Sequence, residues 1–265
     1  MKSSGPEPAH IEIGICLSPD RITNLAPGYD YVELAVSSAL NPLQDDTAFA
    51  DQMARLEALP LPVKAFNVFA PAQLKFVGPQ VDWHQIDIYL QRATQRAAAL
   101  GGEVIVVGSG GSRSVPEGFN RDRAWGQLIR FLNLAADHAG KRGLTIAIEP
   151  LNKQETNIIN SYREAVRLAQ DVHRREVKVL ADIYHFQMEG EPLEDIREGA
   201  EWLAHVHLAD SGRRHPGSGE YPLRELFALL RDIGYRGRAS VECRWGDDFR
   251  AESAASLRFL RDLLG

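Results

Sequence analysis

The chain has little cysteine, no long apolar run and no surplus of positive charge, and each shortage excludes something. Two cysteines in 265 residues, Cys16 and Cys243, cannot build a disulfide framework. Both sit in apolar, strand-like runs and are expected to be buried free thiols, which fits a reducing cytoplasm. No apolar run approaches the roughly 20 residues that cross a bilayer. No signal-peptide pattern is present either, so a soluble cytoplasmic protein with no membrane partner is expected. The formal net charge is −6, whereas a surface that tracks nucleic-acid phosphates is normally basic, so no nucleic-acid partner is expected. A GxGxxG after the first strand-like run is also missing, which argues against an open dinucleotide-binding sheet. The glycine-rich loop GSGGSR at 108–113 lacks the Lys-Ser/Thr ending of a P-loop and reads as a tight turn that keeps a cavity open.

What is present is ordinary globular material, 44% hydrophobic and 25% charged. Residues 1–10, MKSSGPEPAH, read as a disordered start, and 11–265 as one domain. Apolar runs rich in β-branched residues predict strands at 11–17, 31–36, 63–69, 103–107, 144–149, 177–182, 204–208 and 238–243. Helical spacing predicts helices at 46–59, 83–100, 121–142, 161–173, 192–199, 222–233 and 248–264. Several stop at glycine, as at Gly101, Gly143 and Gly234. Strand and helix alternate through the chain, with a loop-like first link. Eight such units in about 250 residues point to a single (β/α)₈ TIM barrel.

The strand ends carry the chemistry. Strand five ends in Glu149 and strand six in Asp182; strand seven carries His207 and strand eight Glu242. A barrel gathers these ends on one face, where active sites of this fold lie. Ionisable groups at the end of an apolar strand are costly unless paired or bound to a metal. Three carboxylates with one imidazole suit Mn²⁺ or Mg²⁺, with Co²⁺ or Zn²⁺ as alternatives. His205 shares a strand face with His207 and is expected to support it, because side chains on a strand repeat with period two. Past the ends lie Asn152 and Glu155 in EPLNKQE, His185 in DIYH, and Arg213. These can bind a polyol or keto-sugar, with His185 and Arg213 polarising a carbonyl oxygen while a carboxylate takes the adjacent C–H proton. Of Phe66, Phe69, Trp83, Tyr184 and Trp245, Trp245 is the expected wall for a sugar face.

EPLNKQETN at 149–157, DIYH at 182–185, HVHLADSGRRHPGSGE at 205–220 and VEC at 241–243 resemble the xylose-isomerase-like TIM-barrel superfamily. More narrowly they resemble its sugar phosphate isomerase/epimerase group, with the ketose 3-epimerases and hydroxypyruvate isomerases. The resemblance is dense over strands five to eight. It implies that Glu149, Asp182, His207 and Glu242 bind a divalent metal, usually Mn²⁺. It implies that Glu149 and Glu242 act as the acid/base pair on an enediolate of a small carbohydrate, that His185 and Arg213 bind the adjacent oxygens, and that Glu155 sits near His185. A homodimer or homotetramer is implied in the same way. One departure bears on specificity: the epimerases usually carry Arg-Phe before that acid, where this chain has Lys153-Gln154. Two other members of the superfamily are relevant. The multi-zinc apurinic endonucleases need further histidines and an Asp-x-His after strand seven, and HPGSGE offers neither. The 3-dehydroshikimate dehydratases share the four ligands, so a lyase stands as the alternative, with a catalytically silent barrel as the third.

Overall fold

The structure is a computed structural model that describes residues 11–265; the segment 1–10, expected to be disordered, lies outside the described residues. Eight strands form one closed parallel barrel in sequence order. They are β1 (Glu12–Cys16), β2 (Tyr31–Ala35), β3 (Val63–Asn67), β4 (Val104–Val107), β5 (Thr145–Ile148), β6 (Val177–Asp182), β7 (Leu203–Leu208) and β8 (Arg238–Val241). β8 closes on β1 with Ile15 opposite Val241. The helices are α1 (Asp46–Glu57), α2 (Trp83–Ala99), the one-turn α3 (Gly110–Arg113), α4 (Arg121–Gly140), α5 (Tyr162–Val172), α6 (Ile183–Glu189), α7 (Glu194–Glu198), α8 (Leu223–Asp232) and α9 (Phe249–Leu264). The first link is a 3₁₀ turn, Pro19–Asn24, as its loop-like sequence led one to expect.

Two apolar layers hold this arrangement. Outward-facing strand residues such as Val32, Leu34 and Val206 pack under the helices in the main core. Inward-facing Tyr31, Ala65, Val106, Ala147 and Leu180 form a separate cluster inside the barrel. Tyr31 fills the floor: its hydroxyl meets Ser240 Oγ at 2.7 Å. A Cβ on Gly14 would come within 2.2 Å of the Tyr31 ring, so the glycine inside IEIGICL is what lets that ring lie across the barrel. Above the floor the interior turns polar. Period two places Glu33 on the face of Tyr31, and His205 and His207 on one face of β7.

Two local features were not expected. DIYH does not trail off the strand; α6 starts at once, because Asp182 caps it by accepting from Tyr184 N at 2.8 Å. The glycine-rich loop, read as a tight turn, contains the single helical turn of α3.

Candidate active site at the carboxyl ends of the strands

Glu33, 0% exposed in the barrel interior, organises the site from across the barrel. Its Oε2 lies 2.8 Å from His205 Nε2 and its Oε1 3.0 Å from His207 Nε2. Burial alone would raise the Glu33 pKa, but the two imidazoles hold it well below the usual carboxylate range. With Nε2 of His207 committed to Glu33, Nδ1 is left without a hydrogen-bond partner. That nitrogen lies 3.4 Å from Glu149 Oε1 and 3.5 Å from Glu242 Oε2. Asp182 uses one oxygen as the α6 cap, and its other oxygen, Oδ2, is buried and unpartnered. One donor atom each from Glu149, Asp182, His207 and Glu242 lies within 4.8 Å of the others.

This donor set fits a divalent cation. Two of its buried atoms have no partner in the protein, and three carboxylates face one imidazole. Like charge and burial are both legible in its acids. Burial pushes the Asp182 carboxyl up to about 6, opposed by His185 and reinforced by Glu242 and Glu149. Glu242 goes the other way, to about 2: burial would raise it, but His207 and Arg213 outweigh burial. Burial would lower the His207 pKa, yet Glu33 and Glu242 raise it well above the usual imidazole value. His205 is lowered by burial despite Glu33, and is a neutral support.

The remaining residues of the site form a hydrogen-bonded rim. Asn152 N donates to His185 Nδ1 at 3.1 Å. That bond makes Nδ1 the acceptor and puts the hydrogen on Nε2, which faces Asp182 Oδ2 at 3.6 Å. Asn152 Nδ2 also donates to Glu155 Oε1 at 3.1 Å. Arg213 donates from Nη2 to Glu242 Oε2 at 2.8 Å and lies 4.5 Å above the Tyr184 ring. Burial would lower its pKa, but Glu242 and Asp182 hold it above the usual arginine value. The opposite oxygen of Glu242 accepts from Asn67 Nδ2 at 2.9 Å. A cavity of about 210 Å³ opens here, lined by Glu149, Glu155, His185, Arg213, Glu242 and Val68. The glycine-rich loop contributes space: a Cβ on Gly108 would sit 2.1 Å from Glu149 Oε2.

Eight of the nine residues singled out in the sequence thus converge. Trp245 does not line this cavity. It lines a neighbouring one of about 260 Å³ at the ends of β1 and β8, its ring stacked on His215 and meeting the edge of Phe249. Phe69 packs among Phe76, Tyr89 and Phe131 in the core. Cys16 and Cys243 are free thiols and partly buried, both lining the second cavity. Two residues that bond the site were not singled out: Glu33, which holds His205 and His207, and Asn67, which donates to Glu242. The signal for Glu33 was a single acid inside the apolar run YVELAV, the same kind of signal that marked the strand-end carboxylates. Asn67 ends its strand as the ligands do, but an amide carries no comparable burial penalty to betray it.

A closed parallel barrel with three acids and an imidazole gathered at its carboxyl face defines an α/β barrel with a metal-type ligand cluster. Residues 25–263 match the family described as "Xylose isomerase-like TIM barrel", and the chain belongs to that family. It is 38% identical over 115 residues to the D-psicose 3-epimerase of Agrobacterium fabrum (strain C58 / ATCC 33970), a match covering 43% of this chain and 40% of that protein. It is 29% identical over 221 residues to the L-ribulose 3-epimerase of Methylomonas sp. (strain DH-1), covering 81% and 74%. Its fold matches the crystal structure of a D-psicose 3-epimerase with D-tagatose from Clostridium cellulolyticum H10 with a TM-score of 0.82, at 22% identity and over 96% and 99% of the two chains.

Proposed function

We propose that this protein is a divalent-metal-dependent epimerase or isomerase of a small keto-sugar, working through proton abstraction beside a carbonyl. The observation that carries the reading is the convergence of two carboxylates, Glu149 at 3.4 Å and Glu242 at 3.5 Å, on the unpartnered Nδ1 of His207. The names of the relatives, ketose 3-epimerases, agree with it. Glu149, Asp182, His207 and Glu242 would hold the metal, most plainly Mn²⁺ given oxygen-rich ligation. Such a cation, when bound, polarises a carbonyl and stabilises negative charge on its oxygen.

The protein's own groups then divide the work. Arg213 and the Nε2–H of His185 donate to the substrate oxygens beside the reacting carbon. Glu242, whose ionised form is favoured by His207 and Arg213 and which also accepts from Asn67, is suited to remove the α-proton. The electron pair of the broken C–H bond forms the C=C bond of an enediol(ate), and the carbonyl oxygen takes the charge. Glu149, carrying a proton taken from water, delivers it to carbon, and Glu242 releases the abstracted proton to water, so both acids are restored. Delivery to the same carbon from the opposite face inverts it; delivery to the neighbouring carbon, with the hydroxyl proton passing to the former carbonyl oxygen, isomerises the sugar. Asn152 and Glu155 fix His185 in the required tautomer and orientation.

Incubation with a panel of ketoses in D₂O and Mn²⁺ tests this. Deuterium should enter the carbon next to the carbonyl, and Glu242→Gln should abolish the exchange. A metal-loaded protein that exchanges no proton with any ketose would refute the reading. Full exchange by Glu242→Gln would remove that residue from the proton path.

A further inference from the structure

The second cavity differs in charge from the first. Arg21, from the 3₁₀ turn after β1, is its one charged lining residue, whereas the reaction cavity is lined by Glu149, Glu155 and Glu242 together with His185 and an arginine, Arg213, that is already paired with Glu242 at 2.8 Å. Among the described residues no carboxylate forms an ion pair with Arg21. Its guanidinium instead lies 4.2 Å from the centre of the Phe249 ring. That stacking holds the planar group in place while leaving its N–H edge uncommitted. Ser18 and Ser38 add hydroxyls, and Trp245 forms a flat wall. The two cavities adjoin: Val68 lines both. Asn67 lines the second while bonding Glu242, which lines the first.

We propose that the second cavity receives the far end of the substrate, that this end is anionic, a carboxylate or a phosphate, and that Arg21 is its counter-charge. The proposal rests on reading the first cavity as the enolising one, since it supplies the fixed end from which the substrate extends. The separation of charge also sets the direction of binding. The carbonyl end goes to the acid-lined cavity and its cation, where Arg213 is already paired with Glu242, while the anionic end is drawn to Arg21, which has no carboxylate partner among the described residues. A neutral ketose gains only an ordinary hydrogen bond from a fixed guanidinium. An oxyanion gains a charge-assisted, bidentate contact in a partly desolvated cavity.

The experiment compares matched substrates: a neutral ketose, its terminal phosphate and its terminal carboxylic acid, with wild type, Arg21→Lys and Arg21→Gln in Mn²⁺. Wild type is expected to favour at least one anionic form, and the form favoured distinguishes phosphate from carboxylate. Arg21→Gln should raise KM for that form by roughly 10- to 100-fold, as expected for loss of a charge-assisted contact. Its kcat/KM for the neutral ketose should change little, and Arg21→Lys should recover part of the loss. No preference for charge, or an equal loss on neutral and anionic substrates, overturns the proposal. Calorimetric titration of inorganic phosphate is the arm that does not depend on turnover. Weaker binding by Arg21→Gln than by wild type supports the anion site even if no ketose reacts, the result that would refute the enolising reading alone. Equal binding by both proteins counts against Arg21.

Discussion

Glu33 lies 172 residues from His205 and 174 from His207 along the chain, yet bonds both. A carboxylate that holds the far nitrogen of a metal-binding imidazole fixes its tautomer and raises its basicity. Glu33→Gln keeps the shape but can no longer accept from two imidazoles through two charged oxygens. The expected result is a fall of about 10- to 100-fold in affinity for Mn²⁺, measured calorimetrically, with the circular dichroism spectrum retained. Unchanged affinity would show that His207 is oriented by its strand alone. The contrast with Glu149, Asp182 and Glu242 explains what was legible. Those acids sit at strand ends, where the fold itself says that they meet. Glu33 sits mid-strand, and its partner is visible only once the barrel closes. Trp245 illustrates the opposite limit: its strand end was right, but which of two adjoining cavities it faces depends on the packing of Phe249 and His215.

At the scale of elements, the loop after β5 does more than carry Glu155 and Asn152. It is pinned by Asn160, whose Nδ2 donates to Leu151 O at 2.8 Å and Thr156 O at 2.9 Å. Ser161 then caps α5 by accepting from Glu164 N, and Glu164 reaches back to Asn160 N. The loop is thus tied to the start of a helix whose apolar face is buried. Replacing Asn160 by alanine leaves two carbonyls without their donor. Stability should fall by about 1–3 kcal/mol, read from urea unfolding; no change would mean that water replaces the amide. The helix start itself was readable from Ser161 and the apolar spacing. The pinning was not, because asparagine in a loop looks the same whether it bonds the backbone or the solvent. α6 was missed for a related reason: Asp182 was assigned to the site, and nothing in the sequence said that its second oxygen would start a helix.

The whole molecule separates stability from chemistry along the barrel axis. At the amino-terminal end Arg238 pairs with Glu12 at 2.6 Å and Glu103 at 2.7 Å, and Lys64 pairs with Glu103 at 2.9 Å. These ties join β1, the start of β4, β3 and β8 beneath the Tyr31 floor, while the unpartnered Asp182 Oδ2 and His207 Nδ1 lie at the other end. The eightfold order of that framework could be read from apolar runs because each strand is buried on both faces. No helix among the described residues is long and apolar enough to cross a membrane. One half-buried acid away from the site should contribute to the pH response of the fold. Burial raises the Glu191 carboxyl from 4.5 to about 7, helped by Asp195 and Glu189 and opposed by its bond from Tyr162 N. Its Oε1 is buried without a partner. Between pH 4.5 and about 7 the folded chain keeps a proton that the unfolded chain releases. The stabilising contribution is therefore complete below that range and is lost as pH rises through it. Thermal unfolding at pH 5 and pH 8 should show wild type losing more stability than Glu191→Gln across the interval. Parallel losses would remove Glu191 as the cause.

Val68 stands where the two cavities meet. It is β-branched, 52% exposed and held at φ +41°, a conformation such residues rarely adopt. Glycine would relieve that strain, yet it would take away the one side chain that both cavities share. Val68 is in effect a doorpost: the protein accepts a strained backbone there, and with it a branched side chain standing at the boundary of its two rooms.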